Sequence, residues 1–336
     1  MGSVEAIVRI ALLGAGRMGH LHGRLLASQP DVSLVVHDVD AARATDLAAA
    51  THGTVAASAD EALGQADAAV IAASTDAHAA LVRQAVERNL PTFCEKPLAF
   101  DLPGTRDLVD QVARSRVAVQ VGFQRRFDPA YVEARRLVES GELGTVYLVR
   151  LIAHDHEPPP DSYIPVSGGL FRDSSIHDFD ALRWATGCEV DEVYAQGSVR
   201  GFPVFAQYDD VDTAGAILRL SDGTLGVLSQ TRHDPRGYDI RMEIVGSRDS
   251  VAVGLAARTP LRSLERDAPP MPGPAWTTFL TRFQEAYRRE LLAFLRVARG
   301  EAASPCTARD GLEAMRISVA AGRSRVEHRP VRLAEI

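Results

Sequence analysis

Lysine is almost absent from this chain of 336 residues. Lysine and arginine together number 37, and Lys96 is the single lysine. Because arginine serves wherever the chain needs only a positive charge, a retained lysine indicates a position suited to a compact ammonium group, whose pKa can fall on burial. The alternative interpretation is a surface lysine without a role.

Cysteine is scarce, and long apolar runs are missing. Cys94, Cys188 and Cys306 are odd in number and far apart, so they predict no disulfide framework, and a reducing cytoplasm is the simplest compartment. No apolar run approaches the roughly 20 residues that a membrane span needs. The first residues lack a cationic leader region and continue into a strand-like run, which predicts a strand rather than a signal peptide. A membrane partner is therefore not expected.

A surplus of positive charge is missing as well. The formal net charge is -7, which argues against a nucleic-acid partner, because such proteins carry a basic footprint. Hydrophobic residues make up 46% and charged residues 24% of the chain, which is typical of a globular protein. The length predicts two domains.

Apolar runs alternate with helix-like stretches over the first 122 residues. The runs lie at 7–13, 32–37, 68–73, 91–94 and 117–121. Their alternation with helices predicts an α/β domain over residues 1–122, with the doubly wound parallel sheet of the Rossmann fold. Residues 123–336 are predicted to form an α+β domain with a mostly antiparallel open sheet, since strand-like runs follow one another between 190 and 254. Within it, Ser221-Asp222-Gly223 predicts a hairpin turn.

A glycine-rich turn follows the first predicted strand. Gly14-Ala15-Gly16-Arg17-Met18-Gly19 fits G-x-G-x-x-G, in the strand–turn–helix context that gives the motif meaning. The first glycine permits the tight turn, the second lets the backbone approach a pyrophosphate, and the third lets the helix pack on the sheet. The helix N-terminus offers N–H groups and a partial positive charge to the phosphates. Residues 14–18 are therefore predicted to bind a dinucleotide.

Asp38 ends the second predicted strand. A carboxylate at this position accepts hydrogen bonds from a ribose diol and repels a 2′-phosphate, so NAD is the predicted cofactor and NADP is disfavoured. Arg43 lies near enough in the sequence to weaken that preference. Flavin is a weaker alternative, because the sequence shows no second adenine-binding feature.

Lys96 and one helix of the second domain carry residue types suited to proton transfer. Lys96 stands in Glu95-Lys96-Pro97, after a predicted strand, at the edge where open α/β sheets bind ligands. A helix predicted over residues 173–186 places Asp173 and His177 four residues apart, on one face. An imidazole titrates near neutral pH and suits proton transfer from an alcohol, and a nearby carboxylate can orient it. Taken alone, such a pair is more often structural.

In combination, Lys96, Asp173, His177, the turn at 14–19 and the glycines at 168–169 resemble the Gfo/Idh/MocA family of oxidoreductases, over essentially the whole chain. The myo-inositol 2-dehydrogenase group is the most similar, through G-F-Q-R-R-F-D-P at 122–129, I-H-D-F-D at 176–180 and G-Y-D-I-R at 237–241. The resemblance implies an NAD-dependent dehydrogenase that oxidises a secondary hydroxyl of a cyclic polyol or sugar to the ketone by hydride transfer, with myo-inositol or scyllo-inositol favoured. It also implies a homo-oligomer, expected to be a tetramer.

The resemblance further implies roles for individual residues. The catalytic groups are His177 as the base, Asp173 as the group that orients substrate and base, and Lys96 as the donor to the reacting oxygen. The expected cofactor contacts beyond the glycine turn and Asp38 are Ser74, Thr75, His78, Glu95 and Lys96. The expected substrate contacts are Lys96, Arg126, Asp155, Glu157, Asp173, Ser174, His177, Tyr238 and Tyr287.

Several positions differ from the sequence pattern of the myo-inositol 2-dehydrogenase group. The segment Ala153-His154-Asp155-His156-Glu157 replaces its usual R-D-P, and Ser174 replaces a frequent Met or Thr. The identity of the polyol, sugar or sugar derivative therefore stays open. NAD-dependent glycoside cleavage without net NADH is an alternative, and a non-catalytic NAD-binding regulator is disfavoured because it has no need of the catalytic groups. His154 and His156 are two ligands where zinc needs three or four, so no metal is expected.

Overall fold

The computed structural model of the chain describes residues 7–268 and 273–336. By their mutual contacts, these residues form two units. The first unit combines residues up to Gln124 with Tyr287–Leu312, and the second combines Arg125–Ala286 with Glu313–Ile336. The predicted division at residue 122 places residues 287–312 in the second domain, whereas their contacts group them with the first unit. The assignment of 1–122 and 123–336 as separate functional domains stays a prediction.

The first unit is built on a six-stranded parallel sheet, which confirms the predicted Rossmann architecture. Its elements up to residue 122 are β1 (Val8–Leu13), α1 (Arg17–Ala27), β2 (Val32–His37), α2 (Ala41–Thr51), β3 (Thr54–Val55), α3 (Ala59–Gly64), β4 (Ala68–Ile71), α4 (Thr75–Glu87), β5 (Thr92–Glu95), α5 (Leu102–Ser115) and β6 (Val119–Gly122). The apolar pattern did not indicate β3, because this strand has only two residues and both are exposed.

The strand order of this sheet is β3-β2-β1-β4-β5-β6. It reverses between β1 and β4, because β1 pairs with β2 on one side and with β4 on the other. All four residues of β4 are buried, as expected for a central parallel strand. The carboxyl ends of β1 and β4 therefore flank the crevice in which open α/β sheets bind ligands.

The second unit is built on a seven-stranded sheet of order β12-β11-β7-β10-β9-β8-β13. The pairings are antiparallel apart from that of β7 with β10, which confirms the predicted mostly antiparallel sheet. The elements after residue 124 are α6 (Pro129–Glu139), β7 (Val146–His154), α7 (Ile164–Ser167), α8 (Leu170–Asp173), α9 (Ile176–Thr186), β8 (Val190–Ser198), β9 (Thr213–Leu220), β10 (Leu225–Thr231), β11 (Asp239–Gly246), β12 (Ser250–Val253), α10 (Phe279–Arg282), α11 (Gln284–Ala298), α12 (Ala308–Glu327) and β13 (Val331–Arg332).

The predicted hairpin turn joins β9 and β10, as expected. Gly223 has φ +92°, which favours glycine, and Asp222 accepts a hydrogen bond from the amide of Thr224. The parallel pairing of β10 with β7 then sets Thr231 beside His154. The carboxyl ends of these two strands are therefore neighbours.

Within residues 7–268 and 273–336, no helix combines the length and the apolar character that a bilayer crossing requires.

Candidate active site

The glycine turn lies between β1 and α1, beside the reversal of the strand order. Gly14 has φ +104°, and a Cβ built on it would lie 2.5 Å from the backbone of Ala72. A Cβ on Gly19 would overlap the carbonyl oxygen of Gly14. The fold itself therefore requires these two glycines.

Gly16 differs from both. Its φ is −77°, a value open to any residue, and a Cβ built on it would meet no atom of the described residues within 4 Å. Gly16 is also the N-cap of α1, and it has no side chain that could accept hydrogen bonds from the first N–H groups of this helix. Contacts among residues 7–268 and 273–336 therefore leave this glycine unexplained, whereas a pyrophosphate at the helix N-terminus needs both the space and the N–H groups. The turn fits a dinucleotide on this observation.

Asp38 follows β2 and lies against the glycine turn. Its Oδ2 accepts a hydrogen bond from the amide of Ala15 at 2.6 Å, and its Oδ1 accepts one from the amide of Asp40 at 2.8 Å. A carboxylate has about four acceptor positions, so two remain for ribose hydroxyls. Arg43 pairs with Asp40 instead, at 3.4 Å.

Ser74 and Thr75 lie where α4 begins, at the carboxyl end of β4, and Ser74 is exposed. His78, one turn further, is buried. Its Nδ1 lies 2.8 Å from the carbonyl oxygen of Pro97, and its Nε2 lies 3.1 Å from that of Ala73. Both ring nitrogens thus face backbone carbonyls, and the contact of His78 with a ribose stays a prediction. Through these two contacts, His78 connects the segment after Lys96 to the end of β4.

Glu95 ends β5, and Lys96 follows it at the same edge of the sheet. The buried His22 of α1 has its Nε2 2.6 Å from Glu95 Oε1. Glu95 Oε2 accepts a hydrogen bond from the backbone amide of Lys96 at 3.3 Å. Glu95 therefore connects α1 to the backbone of Lys96. Sequence reasoning missed His22, because a single histidine on a helix gives no sign of an acid 73 residues away.

Asp173 and His177 do not lie on one continuous helix. Asp173 ends α8, and His177 is the second residue of α9, with Ser174 and Ser175 between the two helices. The amides of Ser174 and Ser175 both return to the carbonyl of Leu170, which interrupts the helical pattern. The predicted single helix over residues 173–186 is therefore wrong at its start.

One hydrogen bond and one ion pair hold the carboxylate of Asp173. Its Oδ1 accepts a hydrogen bond from the hydroxyl of Tyr163 at 3.0 Å, and its Oδ2 lies 2.9 Å from Nη2 of Arg232. Nη1 of Arg232 lies 3.4 Å from Asp155 Oδ2. We call Asp155, Asp173 and Arg232 the carboxylate cluster. Burial lowers the pKa of Arg232, but Asp173 and Asp155 outweigh it and raise that pKa above its ordinary value.

Gln230 bridges the two serines between α8 and α9. Its Nε2 donates to Ser174 Oγ at 2.5 Å, and its Oε1 accepts from Ser175 Oγ at 2.8 Å. Gln230 and Arg232 stand two residues apart at the end of β10 and are both buried. Sequence reasoning missed both, because the alternating pattern of a strand does not indicate partners more than 50 residues away.

Arg126 has a protein partner in this structure. Its Nε and Nη2 donate to the two carboxylate oxygens of Asp180, at 2.8 and 2.6 Å, and both side chains are buried. Arg125 pairs beside it with Asp178 at 2.5 Å. These pairs fix residues 125 and 126 to α9. The contact of Arg126 with substrate stays a prediction.

The other predicted substrate contacts have varied surroundings. Tyr238 is buried, and burial raises its pKa above the ordinary range. Tyr287 belongs to the first unit, where it is buried with its ring 6.0 Å from that of His22. Glu157 is exposed. Their contacts with substrate stay predictions.

One group of metal-type ligands occurs among the described residues. Ligand atoms of His154, Asp234 and Asp239 lie within 4.8 Å of one another. Asp239, however, binds Arg241 through both oxygens at 2.9 and 3.0 Å, and His154 Nε2 lies 2.9 Å from Ser229 Oγ. The guanidinium would repel a metal cation, so the group is better described as a hydrogen-bonded network.

Family models match both parts of the chain. A model of an oxidoreductase family with an NAD-binding Rossmann fold matches residues 8–123, and a model of the Gfo/Idh/MocA C-terminal domain matches residues 131–252.

Known proteins are similar along nearly the whole chain. The chain is 42% identical to a myo-inositol dehydrogenase of Streptomyces leeuwenhoekii, covering 94% of this chain and 96% of that protein. It is 34% identical to an NAD(+) scyllo-inositol 2-dehydrogenase of Bacillus subtilis, covering 98% and 97%. A crystal structure of scyllo-inositol dehydrogenase from Lactobacillus casei, with bound NAD(H) and scyllo-inositol, has a TM-score of 0.86 at 26% identity and covers 97% and 99%.

Proposed function

The chain belongs to the Gfo/Idh/MocA family of oxidoreductases, and from this premise we propose that it is an NAD-dependent inositol dehydrogenase. It oxidises a secondary hydroxyl of a cyclic polyol to the ketone. The observation that carries the proposal is the open space over Gly16, a glycine that a bound pyrophosphate explains and that contacts within the described residues do not. The inositol specificity is supported by the relatives named above.

Each step of the chemistry is assigned to a residue. NAD, when bound, supplies the acceptor for the hydride that leaves the carbinol carbon. His177 takes the hydroxyl proton, which is the task of a general base. Lys96 donates a hydrogen bond to the reacting oxygen and stabilises the negative charge that develops there.

Asp173 is assigned the orientation of the substrate. With Tyr163 on one oxygen and Arg232 on the other, it acts as an acceptor of hydrogen bonds. An inositol presents a ring of hydroxyl donors, which is the complement of such a carboxylate. The isomer that is oxidised, myo-inositol or scyllo-inositol, is the finer part of this proposal.

We propose in addition a cytoplasmic homo-oligomer, expected to be a tetramer. Tyr194, Ile217 and Val227 are neighbours on adjacent strands of the second sheet, and between 36% and 53% of each is exposed. An apolar patch of this kind favours a protein partner. The cysteines are free, which suits a reducing compartment. Light scattering after size-exclusion chromatography tests the oligomer, and a monomeric mass would contradict it.

A substrate panel tests the function. The purified protein is incubated with NAD or NADP and with myo-inositol, scyllo-inositol or glucose, and NADH or NADPH absorbance is recorded. We expect NADH with at least one inositol and a loss of about 10²–10³ in kcat for Lys96→Arg, because the guanidinium cannot reproduce the ammonium's geometry. No reduction of NAD by any polyol, or normal turnover by Lys96→Arg, would contradict the proposal.

A further inference from the structure

We propose that the end of β10 positions the catalytic segment, with Arg232 and Gln230 as its two positioning residues. Arg232 fixes the carboxylates of Asp173 and Asp155, and Gln230 fixes the break from which α9 and His177 begin. This inference rests on the proposed function, since it names what holds that function's groups in place.

The first argument is the geometry of Arg232. Its guanidinium reaches two carboxylates that come from separate segments: Asp155 directly after β7 and Asp173 at the end of α8. A planar guanidinium has donors at fixed angles and can serve both at once. A lysine ammonium is a single point of charge on a flexible stem and cannot reproduce that fork.

The second argument is burial. Arg232 is only 3% exposed, and a buried cation is costly unless it is paired and hydrogen-bonded. Asp155 and Asp173 supply that pairing. In return, the cation between them offsets the repulsion that the two carboxylates would otherwise exert on each other. The guanidinium and the two carboxylates therefore stabilise one another's positions.

The third argument is the position of Gln230. It lies two residues before Arg232, and its amide binds Ser174 and Ser175, the two residues that separate Asp173 from α9. Ser175 is the N-cap of α9, and His177 follows two residues later. The end of β10 thus binds three consecutive residues, Asp173, Ser174 and Ser175.

Asp173 and Arg232, at the end of β10, therefore have different roles. Asp173 contacts the substrate in the proposed function, while Arg232 acts only through Asp173 and Asp155. Loss of Arg232 should therefore loosen Asp173 and lower turnover, while it leaves the first unit and NAD binding unaffected. A displacement of about 1 Å in a positioned group can cost roughly 10²-fold in rate.

The test compares Arg232→Gln with Arg183→Gln. Arg183 is a suitable control, because it is also buried and bidentate, with Glu189 at 2.6 Å, and lies at the far end of α9. We expect kcat with inositol to fall about 10²-fold in Arg232→Gln and to stay near wild type in Arg183→Gln. The KM for NAD should be unchanged in both. Arg232→Lys should recover only part of the loss.

A double-mutant cycle shows whether Arg232 acts through Asp173. In the Asp173→Asn background, adding Arg232→Gln should lower kcat by less than about threefold, because coupled residues are not additive. A full multiplication of the two losses would overturn the inference.

A measurement without cofactor or substrate completes the test. Amide hydrogen exchange in the peptide around residues 170–180 should be faster in Arg232→Gln than in Arg183→Gln, since only the former loses the anchor. Equal exchange and equal kcat in the two variants would overturn the inference alone. An inactive wild-type protein would overturn the proposed function first, and the inference with it.

Discussion

The two groups of functional residues in this molecule are held in place by different means. The glycine turn of the first unit is shaped by backbone: Gly14 by its positive φ, Gly19 by its close approach to Gly14, and Asp38 by two amide donors. The carboxylate cluster of the second unit is held by side chains, with Arg232 spanning Asp155 and Asp173. We therefore expect the glycine turn to be sensitive to added side chains and the carboxylate cluster to be sensitive to lost ones.

The largest effect should come from removing His177, the proposed base of the second unit, while the glycine turn of the first unit stays intact. We expect His177→Ala to lower kcat by about 10²–10⁴, the usual contribution of a positioned general base. The Kd for NADH, measured by fluorescence titration, should stay at the wild-type value. His20→Ala on α1 is the control and should leave both quantities unchanged. Weaker NADH binding by His177→Ala would show that cofactor binding at the glycine turn depends on His177.

The converse change disturbs the glycine turn of the first unit. Gly16→Val fills the open space over the turn, so NADH binding should weaken roughly 10–100-fold, which corresponds to losing one hydrogen bond to a charged group. The melting temperature of the cofactor-free protein should hardly change, because the added side chain meets no described atom within 4 Å at its Cβ.

Gly14→Ala gives the contrast to Gly16→Val. Its positive φ and the 2.5 Å approach to Ala72 predict a loss of about 1–3 kcal/mol in unfolding free energy without cofactor. Urea denaturation of the two variants measures this difference. Equal destabilisation by both would contradict the separate roles assigned to the two glycines.

A smaller effect concerns the choice of cofactor. Asp38→Ala removes the carboxylate that would repel a 2′-phosphate, so the ratio of kcat/KM for NAD over that for NADP should fall about tenfold, or about 1.4 kcal/mol. Asp46→Ala, which removes an exposed acid from α2, is the matched control and should leave the ratio unchanged. An unaltered ratio in Asp38→Ala would remove this residue from cofactor selection.

An effect of similar size concerns the stability of the second unit. Burial raises the pKa of Asp212, but hydrogen bonds from the amides of Arg200, Gly201 and Phe202 and from the Thr213 hydroxyl outweigh it and lower the pKa overall. A carboxyl whose folded-state pKa is depressed stabilises the fold above its unfolded-state pKa, and this stabilisation disappears as pH falls through the folded value.

We therefore expect Asp212→Asn to be about 1–2 kcal/mol less stable than wild type at pH 7. The difference should shrink as the pH falls below about 4, the ordinary pKa of an aspartate. Urea denaturation across this pH range gives the measurement. A difference that is constant with pH would show that the charge of Asp212 contributes nothing.

The same contrast explains which features the sequence could reveal. The parallel sheet and the glycine turn were predictable, because strand periodicity and the G-x-G-x-x-G spacing are local patterns. The hairpin between β9 and β10 was predictable for the same reason. These features need no knowledge of distant partners.

The side-chain networks were not predictable. The break at Ser174 and Ser175 depends on Gln230, and the orientation of Asp173 depends on Arg232, both more than 50 residues further along the chain. His22 and Glu95 form a similar distant pair in the first unit. Arg126 pairs in the same way with Asp180, which lies 54 residues further along the chain. Residue type identified these groups as polar or charged, but only the fold determines which partner each one has.

The most direct test of the account follows a deuterium atom. An inositol labelled with deuterium on every carbinol carbon is oxidised with NAD, and the nucleotide product is analysed by mass spectrometry. The account predicts NADH that carries one deuterium in its nicotinamide ring, with slower turnover than for unlabelled inositol where this transfer limits the rate. Unlabelled NADH, or a ketone product without any NADH, would contradict direct transfer from the carbinol carbon to the cofactor.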